Sequence, residues 1–140
     1  MRCLVADRSA TMRALVTKAL RRAGATEVLS AASADEALAA CGTAFELVVA
    51  DRDLGTGPGW EWLAELREKA CAEGRLIVTG TRVTRAEADA VRALGCGAFL
   101  LKPLDPERLA ERALELTGAS RADRAAPESG AGEAPLAEAA

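Results

Sequence analysis

Short apolar runs alternate with longer amphipathic segments five times along this chain. The runs contain few polar positions, which is typical of strands that are buried on both faces in a parallel sheet. They predict five strands, near residues 2–6, 27–32, 45–50, 75–79 and 97–101. The segments between them predict five helices, near 9–23, 34–41, 58–72, 84–94 and 106–117. The pattern therefore indicates an α/β fold with helices on both faces of a five-stranded parallel sheet.

Helix start and stop signals support these boundaries. Residues 33–36 (Ser-Ala-Asp-Glu) and 84–87 (Thr-Arg-Ala-Glu) have the spacing of a capping box, in which side chains satisfy free N–H groups at the helix start. Asp105 and Pro106 supply an N-cap and a first-turn proline. A glycine suited to a left-handed helix end follows each helical segment: Gly24, Gly42, Gly74, Gly95 and Gly118.

The composition changes after Gly118. Residues 119–140 are mostly Ala, Gly, Glu, Pro, Ser and Arg, and Leu136 is their only large apolar side chain. Such a segment cannot bury enough apolar surface to offset the entropy lost on ordering. We therefore expect one folded domain over residues 1–118 and a disordered Ala/Gly/Pro-rich tail over residues 119–140.

Charge and composition exclude several classes of function. The net charge of −3 argues against nucleic acid as a partner, because phosphate binding needs a basic face. The chain has no histidine, the commonest metal ligand and general base. No signal peptide and no stretch of membrane-spanning length is present, so we expect a cytoplasmic protein without a membrane partner. The cysteines lack metal-ligand spacing, and two of them are predicted to be small core residues: Cys3 and Cys96.

Polar residues stand at the ends of four predicted strands. Asp7, Asp51, Thr79 and Lys102 each follow an apolar run. Open α/β sheets bind their ligands at the carboxyl ends of the strands. Two carboxylates, a hydroxyl and an amine are therefore expected at one edge of the sheet, and this set suits a phosphoryl group on Asp51.

Four segments, taken in order, resemble the receiver domains of two-component response regulators, which include the CheY-like proteins. They are LVADRSATMR, FELVVADRDLGTGPGW, LIVTGT and GAFLLKP. Each motif alone is weak, whereas all four in order at strand ends are a strong signal. The resemblance covers about residues 2–117 and implies a flavodoxin-like (βα)5 doubly wound sandwich with strand order 2-1-3-4-5. In that order Asp7 lies beside Asp51.

The resemblance also implies roles for single residues. Asp51 would be the phosphoryl acceptor, and Thr79 would contact the phosphoryl oxygens. Lys102 would pair with the phosphoryl group, in a Lys-Pro step that is commonly cis in this family. Phe99 would occupy the position of the switch aromatic. Taken singly, each of these residues has an ordinary structural explanation, and only their joint placement favours the functional one.

The metal site departs from the family pattern. The resemblance assigns Mg²⁺ to the carboxylates of Asp7 and Asp51 and to the backbone carbonyl of Asp53, since Mg²⁺ prefers oxygen ligands. The family usually carries a second acid where this chain has Arg8. Two like charges about 5 Å apart repel by roughly 3 kcal/mol at an effective dielectric constant near 20, so an inward arginine is a large change. We therefore expect Mg²⁺ binding to be weak or absent.

Three arrangements of Arg8 are open. In the first, the side chain turns outward and leaves a weakened metal site. In the second, Asp53 supplies a substitute carboxylate. In the third, the guanidinium takes the role of the metal as a fixed donor to phosphoryl oxygens. The last arrangement predicts a protein that is partly in its active shape without phosphate.

Two functions remain after these considerations. The first is a stand-alone receiver of a phosphorelay, which takes a phosphoryl group on Asp51 from a histidine kinase or phosphotransfer protein. The added charge would switch a face that binds an unknown downstream protein, and a homodimer is also compatible with the family. The alternative is a pseudo-receiver, a protein-binding module that acts without phosphorylation because Arg8 replaces a metal-binding acid.

An enzymatic function is not expected beyond weak self-dephosphorylation. Residues 51–53 (Asp-Arg-Asp) resemble the motif of haloacid-dehalogenase-like phosphatases. Those enzymes also need an acidic motif after a later strand, and here Gly97 and Ala98 lead only into the apolar residues of the fifth predicted strand.

Overall fold

Strands and helices alternate along the chain in the predicted order. The computed structural model describes residues 1–42, 44–55, 60–70 and 75–118, with the backbone alone at Trp60. The strands are β1 (Arg2–Ala6), β2 (Glu27–Ala31), β3 (Leu47–Asp51), β4 (Leu76–Gly80) and β5 (Ala98–Leu101). The helices are α1 (Ala10–Arg22), α2 (Ala34–Ala39), α3 (Trp60–Ala70), α4 (Arg85–Ala93) and α5 (Pro106–Thr117). The predicted tail over 119–140 lies outside the described residues and stays a prediction.

The strands pair in parallel in the order β2-β1-β3-β4-β5, as the resemblance implies. Ala6 lies opposite Ala50, so the loop after β1 begins beside the end of β3. Asp51 lies opposite Thr79 in β4. Asp51 falls inside β3 and not after it, because β3 continues one residue beyond the predicted end, whereas Thr79 lies inside β4 as predicted. The register brings the predicted site residues to one edge of the sheet.

The sheet separates two apolar cores. One, which we call the α1–α5 core, fills the space between the sheet and helices α1 and α5; its strand residues include Val5, Val49, Ile77 and Leu100. The other, the α2–α4 core, lies under helices α2, α3 and α4; it includes Leu4, Val48, Leu63, Leu66, Val78, Val91 and Phe99. Because successive strand residues point to opposite faces, each central strand contributes to both cores. This explains the continuous apolar runs in the sequence.

The capping predictions are confirmed for α4 and half confirmed for α2. Thr84 Oγ1 accepts from the backbone N–H of Glu87, and the Glu87 carboxylate accepts from the backbone N–H of Thr84, which completes the box. Ser33 Oγ likewise accepts from the N–H of Glu36. The Glu36 carboxylate, however, accepts from the N–H of Ala32, one residue before the position that a capping box requires. Ser33 has an extended backbone, and the N–H of Ala32 before it lies within reach of the Glu36 carboxylate.

Left-handed glycines end three of the helices. Gly24, Gly95 and Gly118 have positive φ angles of 106°, 81° and 76° after α1, α4 and α5. The same prediction for Gly42 is wrong: the C-cap of α2 is Ala40, in the right-handed conformation, and Gly42 lacks a positive φ. Gly74 lies outside the described residues.

The cysteine prediction is confirmed for Cys3, which is fully buried, whereas Cys96 is only partly buried against the α2–α4 core. Burial raises the pKa of the Cys3 thiol to about 11 and that of the Cys96 thiol to about 12, so both thiols are protonated at neutral pH. They therefore act as small, inert side chains. Within the part of the chain that the structure describes, no helix is long and apolar enough to cross a membrane.

Candidate functional site

The Asp51 carboxylate lies at the carboxyl end of β3 and is held on both oxygens. Its side chain is only 11% exposed. Its Oδ1 accepts a hydrogen bond from the backbone N–H of Asp53 at 3.0 Å, within the turn that follows the strand. Its Oδ2 accepts from the ammonium of Lys102 at 3.0 Å. The turn and the ammonium together fix the orientation of this carboxylate.

The Asp7 carboxylate follows β1 and shares the same ammonium. It is 4% exposed, and its Oδ2 accepts from Lys102 Nζ at 2.9 Å. Its Oδ1 accepts from the backbone N–H of Ser9 at 2.8 Å, next to the start of α1. The guanidinium of Arg13 donates to the backbone carbonyls of Asp7 and Arg8, at 2.8 and 3.1 Å. Arg13, which the sequence did not single out, therefore fixes the loop that carries Asp7.

Lys102 reaches both carboxylates from the end of β5. Its backbone N–H donates to the carbonyl of Gly80 at 2.7 Å, so the loop starts against the end of β4. The Lys102–Pro103 peptide bond is cis, as the resemblance implies. Burial tends to lower the pKa of Lys102, but hydrogen bonds to Asp7 and Asp51 outweigh it and raise the pKa above its usual value. The ammonium is therefore charged at neutral pH.

Strand alternation places the site on the α1–α5 side of the sheet. Asp51 is two residues after Val49, and Thr79 is two residues after Ile77, and both of those apolar residues belong to the α1–α5 core. Residues two apart in a strand share a face. Thr79, which is 2% exposed, therefore lies beside Asp51 on the same face of the sheet. The structure brings together the four residues that the sequence predicts at strand ends.

Phe99, the predicted switch aromatic, points to the opposite face. Its side chain is fully buried in the α2–α4 core. Its ring lies against Gly80, where an added Cβ would stand 3.0 Å from Phe99 Cζ and 3.4 Å from Arg52 Cγ. The strand position after Thr79 therefore has to be small for the ring to occupy this place.

Arg8 contacts the carbonyl that the resemblance assigns to a metal. Its side chain is exposed, and Nη2 donates to the backbone oxygen of Asp53 in a long hydrogen bond of 3.4 Å. The Asp53 carboxylate is 57% exposed and pairs with Arg52 at 3.1 Å. Arg8 is therefore exposed, as in the first of the three arrangements, and also contacts the carbonyl assigned to the metal, as the third would require.

The residues present fit a divalent cation poorly. Lys102 already occupies one oxygen of Asp7 and one oxygen of Asp51. Arg8 occupies the Asp53 carbonyl, so two positive groups lie where a cation would have to bind. Among the residues described, no three His, Cys, Asp or Glu side chains gather closely enough to hold a metal ion.

An ion pair that the sequence did not predict links the loop after β3 to helix α4. Arg52 Nη1 donates to Glu87 Oε1 at 2.7 Å, and the two side chains are 17% and 31% exposed. The same Glu87 oxygen closes the capping box with Thr84. The carboxylate therefore holds the first turn of α4 and the residue next to Asp51 at once. The partners are 35 residues apart, so no local pattern could reveal the pair.

Replacing Glu87 by glutamine is expected to lower the free energy of unfolding by about 0.5–1 kcal/mol at neutral pH, since the charge opposite Arg52 is lost. The hydrogen bond from Thr84 and the contact with Arg52 lower the pKa of Glu87. This stabilisation is therefore present above the pKa of an unfolded glutamate, about 4.3, and is lost as the pH falls below it. Urea unfolding at neutral and acid pH measures it. In an Arg52→Gln background the same change should cost less, and an equal cost in both backgrounds would contradict the pairing.

Comparison with known proteins agrees with this fold and site. The family model described as response regulator receiver domain matches residues 3–114. The chemotaxis response regulator CheY4 of Vibrio cholerae is 26% identical, with a TM-score of 0.70, and the match covers 82% of this chain and 97% of that one. A response regulator from Burkholderia pseudomallei with a phosphorylated aspartic acid, calcium ion and citrate is 25% identical, with a TM-score of 0.70, over 89% of this chain and 72% of that one.

A third structure supports the fold alone. The CheY-like receiver domain protein from Methanospirillum hungatei is 24% identical, with a TM-score of 0.75, and covers 87% of this chain and 97% of its own. Comparison with curated protein sequences found no match. The family model spans most of the chain, and the order of the strands agrees with it. The chain therefore belongs to the response regulator receiver domain family.

Proposed function

We propose that this receiver domain accepts a phosphoryl group on Asp51. The observation that carries the proposal is the arrangement around that carboxylate: the Lys102 ammonium on one oxygen, Thr79 on the neighbouring strand and Asp7 across the ammonium. Catalysis of phosphoryl transfer is largely a matter of position and charge neutralisation. This arrangement supplies both. The similar protein from Burkholderia pseudomallei carries a phosphorylated aspartic acid, which supports the assignment.

Receiver domains interact with histidine kinases or phosphotransfer proteins and with downstream targets. In the proposed reaction an Asp51 oxygen attacks the phosphorus atom of a phosphohistidine. The new P–O bond forms as the P–N bond breaks, and the imidazole leaves with the electron pair of that bond and takes a proton from water. Lys102 and the Thr79 hydroxyl face the phosphoryl oxygens. The product is an acyl phosphate, and beyond weak self-dephosphorylation the chain acts as an acceptor and not as an enzyme.

The switch follows from a change in the charges that face Lys102. Phosphorylation adds roughly 1.5–2 negative charges and new acceptor oxygens. The ammonium, now shared by Asp7 and Asp51, would turn toward the phosphoryl group, and Thr79 would follow. Phe99 and the Arg52–Glu87 pair connect this edge to β5 and α4. We propose that the face formed by α4, β5 and α5 then changes its affinity for a downstream protein or for a second copy of the chain.

Labelling with acetyl phosphate and measurement of the intact mass tests the assignment. The wild type should gain one phosphoryl group, and Asp51→Asn should gain none. Asp53→Asn is the matched control, because it removes an exposed carboxylate two residues away. It should be labelled like the wild type. Equal labelling of Asp51→Asn and the wild type would refute the proposal.

A pseudo-receiver remains the second candidate, and the Arg8 contact favours it. With Arg8 and Lys102 opposite Asp7 and Asp51, the pocket is neutral before any phosphoryl group arrives. Such a protein could hold its partner-binding face without phosphorylation, and its Mg²⁺ binding would be weak or absent. This function predicts no labelling of the wild type and an unchanged partner affinity in Asp51→Asn.

A further inference from the structure

We propose that the Arg8 guanidinium supplies the positive charge that a divalent cation would otherwise provide, so that Asp51 is phosphorylated without a metal. The inference rests on the proposed acceptor role of Asp51. It goes beyond that role because it names the group that binds the incoming phosphoryl oxygens and removes the need for an ion.

The position of Arg8 is set by its neighbours. It follows Asp7, and the guanidinium of Arg13 binds the backbone carbonyls of both residues. The Arg8 side chain then reaches across to the Asp53 carbonyl, in the turn that also binds Asp51 Oδ1. The cation therefore bridges the loop after β1 and the loop after β3. These two loops border the acceptor carboxylate.

The contact with the Asp53 carbonyl leaves other N–H donors of the Arg8 guanidinium available to a ligand. A guanidinium has five N–H donors in a fixed planar fork that matches phosphate oxygens. The contact with Asp53 is long, at 3.4 Å, and the side chain is exposed, so little is lost when it turns toward a ligand. Arg8 can therefore follow a phosphoryl group on Asp51.

The charge balance favours an anion over a cation. Asp7 and Asp51 carry two negative charges, and Arg8 and Lys102 carry two positive ones. A divalent cation would raise the total to +2 beside two groups that repel it. A phosphoryl group instead brings negative charge to two cations, Arg8 and Lys102, which attract it. The pocket is better matched to the oxyanion.

The reaction with acetyl phosphate balances without an added ion. An Asp51 oxygen attacks phosphorus, the bond from phosphorus to the acetyl oxygen breaks, and acetate leaves with its electron pair. No proton is transferred and no oxidant or reductant takes part. Arg8 and Lys102 bind the phosphoryl oxygens during the transfer, and Thr79 faces them from β4.

The test measures labelling by acetyl phosphate in EDTA and in excess Mg²⁺. The wild-type rate should differ by less than about twofold between the two conditions. Arg8→Asp should be labelled at least about tenfold more slowly in EDTA and should recover with Mg²⁺, because it restores a family-like acidic pair. Arg8→Gln should be slow in both conditions, since it has neither cation nor ligand. Arg22→Asp, which changes an exposed arginine at the far end of α1, should behave like the wild type.

A second measurement does not depend on labelling. Mg²⁺ should leave the thermal midpoint of the wild type unchanged and raise that of Arg8→Asp, because a ligand that binds only the folded state stabilises it. A wild type that is labelled only with Mg²⁺ would overturn this inference and leave Asp51 as the acceptor. Equal behaviour of Arg8→Asp and the wild type would also overturn it. If neither protein is labelled under any condition, the acceptor role itself fails.

Discussion

Replacement of Lys102 by methionine is expected to lower the free energy of unfolding by about 3 kcal/mol, because removal of one partner leaves buried charges without compensation. The two carboxylates that lose their cation are those of Asp7 and Asp51, whose side chains are 6% and 11% exposed. Methionine keeps most of the volume of the side chain, so the loss reports charge and not packing. Urea unfolding at neutral pH gives the difference directly.

The pH dependence of this loss has a definite sign. Burial opposes the ammonium, but the hydrogen bonds to Asp7 and Asp51 raise the pKa of Lys102. The stabilisation from a group with a raised pKa is complete below the unfolded value, about 10.4, and is lost as the pH rises through the folded value. The difference between wild type and Lys102→Met should therefore shrink above that range.

A second substitution separates charge from any other effect of Lys102→Met. In an Asp51→Asn background only the Asp7 carboxylate is left without its cation, so the same lysine change should cost about half as much. An undiminished loss in that background would show that the ammonium is not stabilised by Asp51. It would also remove the electrostatic basis of the proposed site.

Replacement of Phe99 by alanine is expected to cost about 4 kcal/mol, the usual range for a large ring removed from a core. Phe99 is fully buried and packs in the α2–α4 core beside Gly80. Phe99→Leu keeps most of the apolar volume and should cost about 1 kcal/mol. Urea unfolding of the two variants measures both.

The matched control for Phe99 lies two residues further along the chain. Leu101 is 37% exposed, so Leu101→Ala should cost less than about 1 kcal/mol. If Leu101→Ala and Phe99→Ala were equally unstable, the ring would not have the packing described here. Phe99→Leu also tests the proposed switch, because a stable variant that is labelled on Asp51 but no longer changes partner affinity would assign the signal to the ring.

The sequence predicted those parts of the site that depend on strand ends. Asp7, Asp51, Thr79 and Lys102 each follow or end an apolar run, and parallel pairing carries such positions to one edge. The order of the strands is a different matter. Periodicity does not determine which strands are neighbours, and the order 2-1-3-4-5 came from the resemblance to receiver domains.

Contacts between loops were beyond prediction from sequence. Arg52 and Glu87 meet because the loop after β3 lies beside the first turn of α4, and nothing local in either segment indicates this. The orientation of the Arg8 side chain likewise depends on the direction of the Asp53 carbonyl, and the conformation of the turn after β3 sets that direction. Gly55 is a further case, because an added Cβ there would overlap the indole ring of Trp62, and glycine leaves room for that ring.

Phe99 and Leu100, which are adjacent in the edge strand β5, enter opposite cores. A slip of β5 by one residue would exchange these two side chains between the faces of the sheet. The phenyl ring would leave its place beside Gly80, and the same slip would draw the Lys102 ammonium away from both carboxylates. A β5 strand paired in the wrong register would therefore lose the packing of Phe99 and the ion pairs of Lys102 together. The correct register is favoured by both interactions at once.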